Sequence, residues 1–131
     1  MPGPFATRFM QTLQQTEQSK DVGPLADLFA DDAELSNLTH KPRTGKDGAR
    51  QFWQEYLKAF GEVRSEFGHT AEGDGTVVLE WEATGTLPTG QPLRYRGVSI
   101  LEADGERVKK FRTYYDSAAF VKTEAASGLK G

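Results

Sequence analysis

Cysteine is missing from all 131 residues, which excludes disulfides, thiolate metal sites and cysteine nucleophiles at once. The fold has to be held by packing alone. A basic surplus is also missing, because 16 Lys and Arg stand against 19 Asp and Glu for a formal charge of -3. The basic residues are scattered rather than clustered, so the electrostatic footprint of a DNA or RNA binder is absent and no nucleic-acid partner is expected. Histidine is scarce. His40 and His69 are the only imidazoles, 28 residues lie between them, and no acidic cluster sits beside them at ligand spacing, so no metal is expected. No stretch approaches the roughly 18 apolar residues of a membrane span, and MPGPFATRFMQTLQQTEQSKD lacks the apolar core of a signal peptide. The expectation is a cytoplasmic protein with no membrane partner. GxGxxG, P-loop, GxSxG and HExxH patterns are absent as well, so no nucleotide cofactor and no serine-hydrolase chemistry are indicated, and no cofactor is expected.

What is present reads as one domain. Composition does not change sharply along the chain, and a chain this long should bury roughly two-thirds of its unfolded surface without help. Phe5, Phe9 and Leu13 recur at i, i+4 and i+8, with Gln11, Gln14, Gln15 and Glu17 between or beyond them, which predicts an amphipathic helix over about Pro4 to Ser19. Asp21-Val22-Gly23-Pro24 interrupts it. Pro24 suits the first turn of a short second helix carrying Leu25, Leu28 and Phe29 and ending at Asp31-Asp32. Ala33 to Leu38 alternates weakly, as a brief strand would, and a polar loop from Thr39 to Gly45 follows, its proline and glycine arguing against regular structure. A third helix should start near Lys46 or Asp47 and stop at Gly61, with Ala49, Phe52, Trp53, Tyr56, Leu57 and Phe60 on one broad apolar face.

From Val63 the period changes to two. Strands are expected over Val63–Phe67, Thr76–Thr86, Leu93–Glu102 and Arg107–Tyr115, joined by turns at 71–75, 87–90 and 103–105 that contain the required Gly, Pro and Asp. The residues after Phe120 look frayed or loosely helical. Helices laid on one face of a strongly bent antiparallel sheet make an α+β domain with a concave interior.

The strings LADLFADDAEL, GKDGARQFWQEYLKAF, VVLEWEATGTLPTGQPLRYRGVSIL and DGERVKKFRTYYD, in that order, resemble the SnoaL-like polyketide cyclase branch of the nuclear transport factor 2-like superfamily over about residues 5 to 120. The resemblance implies a cone: a bent, antiparallel or mixed sheet with three N-terminal helices enclosing a pocket. It also implies a homodimer formed through the convex sheet and a cofactor-independent acid-base enzyme. Such an enzyme, of the isomerase, cyclase or epoxide-hydrolase kind, would act on an apolar carbonyl or epoxide compound. The limonene-1,2-epoxide hydrolase pattern can be laid on the same strings, with Asn37, Glu82 and Asp116 on its Asn and two Asp positions. Leu35 stands where that pattern has tyrosine and Glu80 where it has arginine. The first helix has no tyrosine of the ketosteroid-isomerase kind.

Each candidate residue has two readings. Asp116, following Tyr114 and Tyr115, is either an acid or base at a pocket mouth or the cap of a helical turn over Ser117–Phe120. Glu80 and Glu82 share a strand face with Val78 and Thr84, while Val77, Leu79, Trp81 and Ala83 take the other. Periodicity puts the Trp81 face in the core and the glutamates in water; the resemblance puts the glutamates inside the cone. Arg112 shares a face with Tyr114 and Asp116 and either neutralises a pocket carboxylate or is solvated beside Lys109 and Lys110. Asn37 either binds a water or substrate oxygen or satisfies a turn. Trp53 and Tyr56 either touch a ligand or are plain core, and His40 is a candidate beside the pocket mouth. The rival to the enzyme is a ligand-binding or dimerisation module on the same cone.

Overall fold

The computed structural model describes residues 3–37 and 41–116. Helix α1 spans Pro4–Ser19, as its apolar stripe requires, and opens with proline at its first position, where a missing N–H costs nothing. Gly3 offers no side-chain cap. The cap comes instead from the sheet, where Glu72 accepts a hydrogen bond from the Ala6 N–H at 3.1 Å and sets a carboxylate at the positive end of the helix. Helix α2 is a single turn, Gly23–Ala26, and α3 spans Gly45–Lys58.

The second helix is shorter than its apolar spacing suggests. Leu25 packs from the helical turn, but Phe29 already begins strand β1, Phe29–Ser36, and pairs with Val108. Spacing i, i+3, i+4 fits one turn followed by a strand as well as it fits two turns. Asp31 and Asp32, expected as a helix end, both point to solvent at a register shift between Phe29 and Glu34. Inside the segment expected to be irregular, Arg43–Thr44 forms a two-residue strand, β2, against Leu35 and Glu34.

The remaining strands are β3, Glu62–Gly73; β4, Thr76–Thr86; β5, Pro92–Asp104; and β6, Arg107–Tyr115. β3 runs six residues past its expected end because a bulge between Phe67 and Thr70 lets pairing with β4 continue to a tight turn at Asp74-Gly75. Both turn residues have positive φ, 52° and 76°, the geometry of a two-residue hairpin whose twist matches its strands. The sheet order is β2-β1-β6-β5-β4-β3, antiparallel except where β1 runs parallel to β6. It is therefore a mixed sheet. α3 packs on β1 and α1 on β3, so the helices close the concave face.

Concave-face residues follow period two along the inner strands: Val77, Leu79, Trp81 and Ala83 on β4, Tyr95, Gly97, Ser99 and Leu101 on β5, Phe111, Thr113 and Tyr115 on β6, with buried Val108 out of phase where the β5–β6 register shifts. Toward the β1 end the space is filled. Phe9, Phe29, Phe52, Trp53 and Phe111 stack edge to face or tilted with centroids 5.1 to 6.3 Å apart. No helix among the described residues is long and apolar enough to cross a membrane.

Candidate functional site

Between that aromatic wedge and the other side of the sheet lies a cavity of about 270 Å³. Helix α3 supplies Phe52, Trp53 and Tyr56, and Phe60 follows just past its end; the sheet supplies Ser65, Phe67, Leu79, Trp81, Tyr95, Ser99, Phe111, Thr113 and Tyr115; Asn37 enters from the end of β1. Most of this lining is aromatic; its one charged residue, Glu55, is exposed and paired with Arg43 at 2.8 Å, and the other polar groups in it are few and neutral.

One polar group is built across β4, β5 and β6. Trp81 faces Gly97 in register, and a Cβ placed at Gly97 would come within 2.7 Å of Trp81 Cζ2. Glycine therefore lets the indole lie across β5, where Nε1 donates to Ser99 Oγ at 2.9 Å. Ser99 and Thr113 face each other in register and share a hydrogen bond of 2.9 Å. Both are buried.

A second polar group sits between α1, α3 and β3. Glu17, only 3 % exposed, accepts from Tyr56 Oη at 2.6 Å, from Ser65 Oγ at 2.6 Å and from the Ser65 N–H at 2.8 Å. Three donors on a buried carboxylate are what burial of an acceptor-only group requires. Burial, and next the neighbouring Glu17 charge, push the Tyr56 phenol well above its ordinary pKa, so it stays protonated and donating. Burial also raises Tyr95, which stacks with Phe60 at the cavity edge. Trp53 Nε1 is buried with no hydrogen-bond partner among the described residues.

The carboxylates expected in the pocket lie elsewhere. Glu80 and Glu82 are on the convex side of β4, because period two gives the concave side to Leu79 and Trp81. Glu80 is exposed and contacts His69 Nδ1 at 3.1 Å, a hydrogen bond that lowers its pKa; Glu82 pairs with Arg94 at 3.0 Å. A lowered pKa is the reverse of what a desolvated pocket would produce. Arg112 and Tyr114 are likewise on the outer side of β6. Arg112 binds Glu102 at 2.6 Å instead of Glu80 or Glu82 and lowers the Glu102 pKa, and Tyr114 is 46 % exposed. Asp116 is exposed just past β6, where its N–H donates to the Arg96 carbonyl at 3.1 Å. These four charged residues do not converge on the cavity. Asn37, Trp53 and Tyr56 do line it, and His40 lies outside the described residues.

Glu17, Ser65, Ser99 and Thr113 were not singled out by the sequence. A signal for Glu17 exists: it is the next i+4 step after Phe5, Phe9 and Leu13, so a carboxylate stands where the stripe calls for an apolar side chain. Ser99 and Thr113 are hydroxyls in otherwise apolar alternations, Tyr95-x-Gly97-x-Ser99-x-Leu101 and Phe111-x-Thr113-x-Tyr115.

Comparison with known proteins agrees with this architecture. Among solved structures, a nuclear transport factor 2-like protein from Anabaena variabilis superposes with a TM-score of 0.79 at 18% identity, covering 91% of this chain and 96% of the other. TerC co-crystallized with polyporic acid gives 0.79 at 14% identity, covering 92% and 97%. A ketosteroid isomerase-like protein from Catenulispora acidiphila in complex with trimethylamine gives 0.78 at 16% identity, covering 93% and 92%. At these identities the likeness establishes the fold. No curated protein matches the sequence. A family model for the SnoaL-like domain matches residues 6–111, from the first helix into the last strand, and the chain belongs to that family.

Proposed function

We propose that this chain binds an apolar, cyclic small molecule in its concave cavity. The observation that carries the proposal is the lining itself: a mostly aromatic wall, a volume of about 270 Å³, and buried hydroxyls, with Glu55 as the one charged residue and that one paired with Arg43. Two of its structural neighbours hold a small organic molecule, polyporic acid in one and trimethylamine in the other. The sequence-based assignment of Asp116, Glu80, Glu82 and Arg112 as a catalytic set loses its geometric support, since none of them lines the cavity.

A cofactor-independent acid-base enzyme remains as a second reading, favoured by one contact. Tyr56 lines the cavity and its hydroxyl hydrogen points to Glu17. A ligand proton passed to Tyr56 Oη, as Tyr56 passes its own to Glu17, would move acid-base chemistry to a carboxylate the ligand never touches. Homodimerisation through the convex sheet and a cytoplasmic setting belong to the same proposal. The face such a dimer would use carries Val78, Val98, Ile100 and Tyr114, since Trp81 lines the cavity on the other side.

Saturation-transfer NMR with the bicyclic ketone 1-tetralone in heavy water reads both possibilities. Transfer to the ring protons is expected for a binding site. Protein-dependent loss of the signal from the protons beside the carbonyl would promote the acid-base reading. No transfer to 1-tetralone, naphthalene or 2-naphthol would remove the ligand-site proposal.

A further inference from the structure

We propose that the cavity is polarised: one end accepts a hydrogen bond from a ligand hydroxyl, the other donates a single hydrogen bond to a ligand carbonyl, and Glu17 is the residue that sets the accepting end. The inference rests on the ligand-site reading above and adds the class of ligand, a flat cyclic molecule with a hydroxyl at one end and a carbonyl at the other.

Counting protons fixes the two ends. A tyrosine or serine hydroxyl has one hydrogen and two lone pairs. The hydrogens of Tyr56 and Ser65 are both directed at Glu17 Oε2, each at 2.6 Å. The remaining Tyr56 to Ser65 contact is 3.5 Å, too long to use up their lone pairs. These two lining residues therefore have acceptor capacity left and no proton to give. A bare carbonyl oxygen placed there would meet lone pairs, whereas a hydroxyl would donate to them.

The Trp81, Ser99 and Thr113 chain gives the opposite result. It holds three hydrogens, one on the indole and one on each hydroxyl, and two hydrogen bonds. Trp81 spends its hydrogen on Ser99. Whichever hydroxyl donates in the Ser99 to Thr113 bond, one hydrogen is left over, and both residues line the cavity. This end is a donor for a ligand acceptor.

The two ends are well apart. Ser65 pairs with Ala83 and Ala83 with Tyr95, so Ser65 and Ser99 lie two strands across and four residues along the sheet. On a flat sheet that is about 10 Å by about 13 Å, and the bend of the sheet brings both side chains toward one enclosed space. The middle is lined by Leu79, Trp81 and Tyr95, which offer ring faces and methyl groups to a flat ligand.

Three probes of one skeleton test this: tetralin with no polar group, 1-tetralone with the carbonyl, and 6-hydroxy-1-tetralone with both. Dissociation constants from NMR titration of the full chain are expected to improve at each step, the hydroxyl contributing about tenfold or more because it donates to oxygens polarised by a carboxylate. In Tyr56→Phe the ratio between hydroxytetralone and tetralone should shrink, Ser65 remaining as the one acceptor of the pair. In a triple Trp81→Phe, Ser99→Ala, Thr113→Val variant, which removes all three hydrogens, the ratio between tetralone and tetralin should collapse while the hydroxyl ratio persists; Thr113→Val alone frees the Ser99 hydrogen and should keep the tetralone ratio. Glu17→Gln should also shrink the hydroxyl ratio, since an amide that donates frees Tyr56 or Ser65 to donate in turn. If all three probes bind equally, the cavity stands as a ligand site and the polarity proposal is overturned. If 1-tetralone outbinds the hydroxy compound, the assignment of the ends is wrong. If none of the three binds, the ligand-site reading falls and the polarity proposal with it.

Discussion

Tyr56 and Glu17 are joined by a hydrogen bond of 2.6 Å between two helices, 39 residues apart in sequence, and Ser65 closes the cluster from the sheet. The contact ties α1 to α3 and both to β3, so its loss has a structural cost as well as any effect on a ligand. Glu17→Ala orphans the buried Ser65 N–H and strips two hydroxyls of their acceptor. Leaving such groups unsatisfied should cost about 2–4 kcal/mol, and Glu17→Gln, which keeps one acceptor oxygen, about 1–2 kcal/mol. Urea unfolding followed by circular dichroism measures both. A Glu17→Ala variant as stable as the parent would mean that the carboxylate is not buried as described.

The arrangement of elements was legible in the sequence because its signals are local. The stripe Phe5, Phe9, Leu13 specifies α1, and the break of period at Val63 marks the start of the sheet. Boundaries failed where two local solutions fit one pattern. Leu25, Leu28 and Phe29 satisfy helical spacing, yet Phe29 gains more by pairing with Val108 and packing its ring against Phe9 and Phe111. Tertiary packing then overrides local preference.

The site shows the same division. Periodicity alone places Trp81 on the buried face of β4, and it lines the cavity; the resemblance to an epoxide hydrolase put Glu80 and Glu82 there instead. A shift of one residue in that alignment exchanges every side chain between faces. On β6 the aromatic and charged residues of Phe111 to Asp116 gave no clean alternation, so Arg112 and Tyr114 were placed inward when Thr113 and Tyr115 are. The Ser99 to Thr113 bond could not be read at all, since it depends on register across β5 and β6, which a shift after Glu102 helps to set.

Alkaline pH offers a separate check on the cavity wall. Burial raises Tyr56 and Tyr95 above their ordinary value of 10.0 in the folded chain. In the unfolded chain both phenols ionise near pH 10, roughly the model-peptide value, so above that pH the unfolded state binds fewer protons than the folded one. The stability these two groups contribute is therefore fully present below about pH 10 and is lost as pH rises toward their folded values. Urea midpoints should hold steady from neutrality to about pH 9 and then fall. The fall should be shallower in Tyr56→Phe. If the phenolate absorbance that Tyr56→Phe removes is already complete near pH 10 in the folded chain, the hydroxyl is not desolvated.

The convex face carries the last prediction. In register across three strands, Val78 lies beside Ile100 and Val98 beside Tyr114, each partly accessible, and the ion pairs Arg94 with Glu82 and Arg112 with Glu102 border them. An apolar centre with a charged rim is the pattern of a subunit contact rather than of a surface left in water. Sedimentation velocity at tens of micromolar should give twice the chain mass, and Val98→Lys, which sets a charge in the centre of the patch and touches nothing in the cavity, should give one chain with unchanged circular dichroism. A wild-type monomer at that concentration would leave the patch without this role. A dimer insensitive to Val98→Lys would move the contact to another face. In either case the cavity, on the opposite side of the same strands, keeps its lining, because period two separates the two faces over Val77–Ala83, Tyr95–Leu101 and Phe111–Tyr115.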